Sequence, residues 1–375
     1  MENDSYWMRY HAKSRASINE WSKMQSNERP RLSVFHQDRD ATIYLLDNIE
    51  QHGIKLHNGL DIVVSLNNYR GGNVIEETQG LANLTLDVVS FVTMAYCELD
   101  RFDLQIIFHE DGTTDGVIPV SSPSTLDLSV PRKIQEDVFC SVYANRDKLY
   151  ESDKEHVARA MAWSRASILQ KQPLFEFMCL WIGIESINHV LSRALPTIKG
   201  KKNVLKNNWR GLFDIANKKV ADLDFEELIY ARQQIFHSRG DISDAFVTKL
   251  ATYLEPTRKV LNYGIGSVLK LDEEMIKSIA ERTALKMFIL EPLAYNGRFT
   301  GLRNNIDWLL TNNPKLLIND AQNEYHFNDA GDPETVIKTN TTANFADGVK
   351  FSAHGWQLKE QGNSGVKITN VKINS

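Results

Sequence analysis

The chain has 375 residues, of which 42% are hydrophobic and 24% charged, and its formal net charge is −5. That is the balance of a globular protein with enough apolar material for a sizeable core, and the length suits two or three domains. An acidic balance excludes global basicity as a source of nucleic-acid affinity, so any such affinity must come from a local patch.

Cys97, Cys140 and Cys179 are odd in number and far apart. They fit neither a disulfide framework nor a metal spacing, and read as free thiols of a reducing compartment. The opening Met-Glu-Asn-Asp-Ser is acidic and polar, unlike a secretory signal. The strongest apolar run lies within 174–184, is interrupted by Glu176 and is short for a bilayer. The expectation is a cytoplasmic protein with no membrane contact.

In chain order, residues 1–40 suggest a short helix anchored by Trp7 and Trp21, then a polar stretch around Pro30. From about 41 to 145 the pattern turns to strands. Ala41–Leu46, Gly53–His57, Leu60–Leu66, Leu84–Thr93 and Phe102–Phe108 are rich in Val, Ile, Leu and Phe between Gly, Asn and Asp punctuation. Asp111-Gly112 before Val117 reads as a hairpin turn. His36, His52, His57 and His109 lie on separate segments and suggest no metal site. Residues 1–150 are therefore expected to be a β-rich domain.

Pro123 and Pro131 bracket a linker signal, and after Glu151-Ser152-Asp153 the period becomes helical. Candidate helices cover 154–170, 173–194, 208–220, 224–237 and 243–271, the last with Pro256 as a possible break. Residues 151–272 thus read as a four- or five-helix bundle, with 173–194 at its centre because it is apolar nearly all round. Residues 273–283 suggest another helix. The rest of 273–375 reads as a small mixed or β-rich region, with strands at Met287–Leu290, Glu324–Phe327, Thr335–Lys338, Val349–Ser352 and Val366–Ile373 and a helix at Gly301–Leu310. The fold class expected is α+β: a β-rich part, an all-α bundle and a small mixed tail.

One stretch carries chemistry. Phe225, Leu228, Ile229, Arg232 and Phe236 fall on one helical stripe, so Arg232 occupies a position suited to a core residue. A buried guanidinium keeps its charge and needs a carboxylate, a phosphate or a wet crevice. His237 follows five residues later, roughly 140° away around an ideal helix. Ser238-Arg239-Gly240 offers a helix end at that point.

This Arg-x-x-x-x-His helix end, with Gln233 after the Arg, resembles the signature of the HEPN superfamily, most closely its ApeA-like and MauJ-like families. Leu174–Glu185 resembles the apolar helix ending in Glu that these families carry. The resemblance covers roughly 155–272. It implies a metal-independent endoribonuclease, commonly dimeric through the helical bundle and deployed in toxin or anti-phage defence. It needs no cofactor.

The residues supply a mechanism for such cleavage. His237, as an imidazole, suits a base or an acid, Arg232 suits the phosphate oxygens, and Gln233 can position the phosphate or His237. Glu185 is the expected partner of Arg232. It shares a face with His189, but the pattern is not His-Glu-x-x-His and no zinc is read there. The 193–210 segment holds six positive charges and no acid; its Lys199, Lys201, Lys202, Lys206, Trp209 and Arg210 form the expected RNA-binding set, cations for phosphates and an indole for a base. Because Arg232 and His237 diverge on an ideal helix, a site completed by a second chain is expected. The competing reading is a non-catalytic dimerisation or sensing module that binds RNA, a nucleotide or a protein partner. In it Arg232 pairs structurally with Glu185 and His237 caps the helix. A protein or nucleotide trigger at the N-terminal domain is compatible with either.

Overall fold

The computed structural model describes residues 4–18, 31–51, 55–69, 73–110, 114–117, 131–194, 208–217, 219, 224–237, 242–286, 294–300, 315–327, 333–344, 350–357, 366–368 and 372–374. The expected loop lysines Lys199, Lys201, Lys202 and Lys206, the Ser238–Gly240 helix end, the Asp111-Gly112 turn, Met287–Leu290, Gly301–Leu310 and Trp21 lie outside these residues.

The architecture is α+β, in two compact units. The first comprises Met1–Ile49, Asn58–Ser124 and Pro131–Lys286, so the boundary expected at 150 falls inside it. It opens with β1 (Asp4–Ser14) and β2 (Ala16–Ser17), then β3 (Arg31–His36), β4 (Ala41–Gln51) and β5 (Lys55–Tyr69). After α1 (Val74–Thr93) come β6 (Cys97–Phe108), β7 (Thr114–Val117) and β8 (Arg132–Lys133). Six strands form one sheet in the order β3-β4-β5-β1-β6-β7, while β2 and β8 form a short parallel pair.

The helix expected around Trp7 is instead the central strand β1. Met8, Tyr10 and Ala12 alternate inward, whereas Trp7 is 48% exposed and meets Phe108 edge-on at 5.1 Å. Leu60, Ile62, Val64 and Leu66 continue the inward face on β5. The strand expected at Leu84–Thr93 is the second half of α1. That helix packs on the sheet with one side and on later helices with the other. Its apolar residues therefore run almost continuously, and such a run does not distinguish a buried helix from a buried strand. Its start is set by Asn73, whose side chain accepts from the Glu76 N–H.

The remaining helices of this unit are α2 (Glu136–Asp147), α3 (Glu151–Leu169), α4 (Pro173–Ala194), α5 (Asn208–Asn217), α6 (Phe225–His237), α7 (Asp244–Val268) and α8 (Glu273–Glu281). From α3 onward they sit where the helical periodicity places them; α2 was not expected. Pro256 lies inside α7 without ending it, at the cost of one ladder hydrogen bond. α4 is central: Phe177, Leu180, Trp181, Ile184, Ile187 and Leu191 are fully buried. It packs against both α3 and α7. α4, α5 and α7 approach closely at Gly264, where a Cβ would fall 2.6 Å from Ile187 Cδ1 and 2.9 Å from Leu212 Cδ2. By length and composition alone Pro173–Leu191 is apolar enough to cross a membrane, contrary to the shorter run read from the sequence; 61% of that window is buried within the fold. Sheet and bundle share one continuous core from Met8 to Ile279, which explains why no domain boundary separates them.

The second unit contains Met287–Ser375 together with Glu50–His57 and Thr125–Val130. Its strands are β9 (Ala294–Thr300), β10 (Lys315–Phe327), β11 (Pro333–Asn344), β12 (Lys350–Gln357), β13 (Val366–Ile368) and β14 (Lys372–Asn374). β10 pairs antiparallel with β11, β13 and β14 pair parallel with it, and β12 pairs antiparallel with β9.

The three thiols are free, and burial pushes Cys97 up to about 12 and Cys179 up to about 11, so neither is a ready nucleophile near neutrality. His36 closes β3 as a buried residue; burial, then the Arg146 cation beside it, lowers its pKa. An unfolded His36 binds a proton near its ordinary 6.5 while the folded one resists, so this stabilisation is present above 6.5 and lost as the pH falls below it. The urea midpoint is expected to drop between pH 7 and pH 5, and to drop less in His36→Gln. Equal drops in the two proteins would remove His36 from the acid response.

Candidate active site on helices α4 and α6

The site begins with packing. Phe177 and Trp181, one turn apart on α4, stack at 6.1 Å. Trp181 stacks in turn on Phe213 of α5 at 6.1 Å, and Phe213 meets Phe225 at the start of α6 at 5.4 Å. This aromatic ladder ties three helices together and sets the position of α6 along α4. Arg210 lies over the Phe225 ring at 4.9 Å and pairs with Glu226 at 2.9 Å.

Trp181 is fully buried, so its indole N–H needs an acceptor. It donates to Glu185 Oε1 at 2.7 Å, one turn along α4. The same oxygen accepts from Arg232 Nη2 at 2.7 Å and Nε at 3.2 Å. The guanidinium carbon lies 5.4 Å from the centre of the Trp181 ring and 5.8 Å from that of Phe236, within cation–π range of both. The remaining edge of Arg232 is turned towards His237: Nη1 lies 3.3 Å from Nε2.

This geometry assigns hydrogen-bond roles. Arginine only donates, so His237 Nε2 accepts, which requires a neutral ring with its proton on Nδ1. Nε2 is then the basic nitrogen. Of the five guanidinium N–H groups, three face Glu185 and His237, which leaves two for a phosphate. His237 is exposed and Arg232 keeps 26% of its side-chain surface, so a polymer can reach both from solvent. Gln233 is half-buried on the residue after Arg232.

Arg232, His237 and Glu185 therefore meet within one chain. The divergence of roughly 140° on an ideal helix is overcome by the reach of the arginine stem and by the position of His237 as the last residue of α6. The warrant for a site completed by a second chain is thereby removed. Trp181, not singled out as a site residue from the sequence, orients Glu185. A Trp and a Glu at i and i+4 within a long apolar helix was the available signal.

A groove of about 820 Å³ opens elsewhere in the first unit, beside His36 and Arg146. Its carboxylates Asp38, Glu76, Glu77 and Glu151 outnumber Arg39 and Arg146, which disfavours a polyanion there. Among the described residues no group of three or more His, Cys, Asp or Glu is placed to hold a metal ion. Compared with protein-family models, curated proteins and solved structures, the chain matches none.

Proposed function

We propose that this protein is an endoribonuclease of HEPN type whose metal-independent chemistry is carried by Arg232 and His237. The observation that supports this reading best is the 3.3 Å approach of Arg232 Nη1 to an exposed His237 Nε2, with Glu185 holding the other edge of the guanidinium. An RNA phosphate reaching Arg232 takes up the free N–H groups and draws Nη1 from the imidazole. His237 Nε2 then accepts the proton of the adjacent 2′-hydroxyl, and that oxygen attacks phosphorus. Arg232 neutralises the pentacoordinate phosphorane. The bond from phosphorus to the 5′-oxygen breaks, the proton passes from His237 to the departing oxygen, and the products are a 2′,3′-cyclic phosphate and a 5′-hydroxyl.

The wider reading is a cytoplasmic toxin or anti-phage enzyme, dimeric through the bundle. Purified protein is expected to cleave a mixed RNA in EDTA and to leave cyclic phosphate ends. Strict dependence on magnesium or manganese would point to another chemistry. The Glu185–Arg232 pair by itself also favours a second reading, a non-catalytic module in which this pair is structural. On that reading RNA binds without being cut.

The basic segment completes the proposal. Lys199, Lys201 and Lys202 are three of the four lysines that the sequence places between α4 and α5. Changing all three to Glu is expected to weaken RNA binding and to flatten its dependence on salt, because fewer counterions are released. The same affinity and the same salt slope in wild type and variant would exclude these lysines from the interface.

A further inference from the structure

One turn beyond Glu185, an imidazole of α4 meets one of α3. His189 is exposed, and its ring centre lies 5.6 Å from that of the half-buried His156 on α3. The ring planes are inclined by 40°. His156 Nδ1 is 2.8 Å from the Ser186 carbonyl oxygen. A carbonyl only accepts, so Nδ1 carries a proton and donates it. In the neutral ring Nε2 then carries the lone pair. A backbone carbonyl on the far ring nitrogen is the usual support of a metal-binding histidine, because it fixes the tautomer and the ring orientation.

We propose that His156 and His189 form a two-histidine site for a first-row transition-metal ion of the zinc, nickel or copper class, which staples α3 to α4. The geometry fits. An ion about 2.0–2.1 Å from one nitrogen of each ring places the ring centres roughly 5–6 Å apart. The two ligands come from different helices, so the ion joins elements already packed together. Imidazole selects zinc, nickel or copper over magnesium, and water fills the remaining positions because no third protein ligand is assembled among the described residues. The site lies beside the Arg232–Glu185 pair without using either residue. The proposal does not depend on RNA cleavage.

The test is ion binding to the tag-free full chain. Calorimetry with Zn²⁺ and Ni²⁺ is expected to show a site that Mg²⁺ does not fill. The Cu²⁺-loaded protein is expected to give a paramagnetic resonance spectrum with two imidazole nitrogens. His189→Gln alters an exposed side chain and is expected to fold normally while lowering ion affinity about tenfold or more. His156→Gln should do the same, and in both variants the rise of Tm with ion concentration should disappear. No ion binding by the wild type, or unchanged binding in both folded variants, would overturn the proposal. Activity in EDTA bears on the nuclease reading alone, so the two can fail separately.

Discussion

RNA cleavage is expected to fall to background in His237→Ala and by about 10²–10³-fold in Arg232→Ala, with both proteins folded. His237 supplies the nitrogen that takes the 2′-hydroxyl proton, and no second histidine is hydrogen-bonded to Arg232 among the described residues. Arg232 supplies charge to a transition state carrying more negative charge than the ground state, so its loss should appear in kcat more than in KM. Arg232→Lys is expected to rescue little, since a point charge cannot hold Glu185 and a phosphate as a planar fork does. Glu185→Gln should fall between, keeping an acceptor for Trp181 but losing the charge that anchors Arg232. Mixing Arg232→Ala with His237→Ala chains under subunit exchange is expected to recover no activity, because Arg232 meets His237 of its own chain. Recovery in a proven heterodimer would show that the site is completed between chains after all. Equal cleavage by wild type and His237→Ala would remove the nuclease reading and leave the sensing module.

The helices from α3 to α8 were legible in the sequence because their apolar residues recur with a helical period between polar faces. The first part of the chain was less so. In β1 the alternation of Met8, Tyr10 and Ala12 against Trp7 and Arg9 is clear once the register is known, but two tryptophans in a polar context also suit an anchored helix. In α1, Leu81, Leu86, Val88, Val89, Phe91 and Val92 are all buried because the helix is covered on both sides, and β-branched residues in such a run imitate a strand. The site divided in the same way. Arg232 and His237 were visible as a spacing, and Glu185 as a carboxylate after the apolar run 174–184. Their convergence was not visible, because helical angles locate Cα atoms and not the tip of a long arginine. The aromatic ladder that registers α6 on α4 involves contacts between helices far apart in sequence, which no local period reports.

Arg258→Ala is expected to destabilise the first unit by about 3–5 kcal/mol, and so to lower Tm by roughly 10 °C. Arg258 is fully buried on α7 and pairs with Glu176, which is 2% exposed in the first turn of α4. Arg258 Nη1 also donates to Ser167 Oγ on α3 at 2.6 Å, and Lys286 reaches Glu176 from beyond α8. The carboxylate that interrupts the apolar run near 174–184 is thus the hub of an ion-pair network that spans α3, α4 and α7. Removing Arg258 leaves that carboxylate buried with Lys286 as its remaining cation, together with a cavity the size of an arginine stem. The double variant Arg258→Met with Glu176→Leu removes both buried charges and fills the space, and Lys286, half-buried, can turn to solvent. It is expected to be more stable than Arg258→Ala despite carrying two changes, because well-packed apolar groups often replace a buried ion pair without loss. Urea unfolding of the wild type and both variants measures the difference. A single variant that costs under about 1 kcal/mol would mean that Lys286 alone satisfies Glu176, and a double variant less stable than the single would show that the network contributes net stability rather than only avoiding a stranded charge.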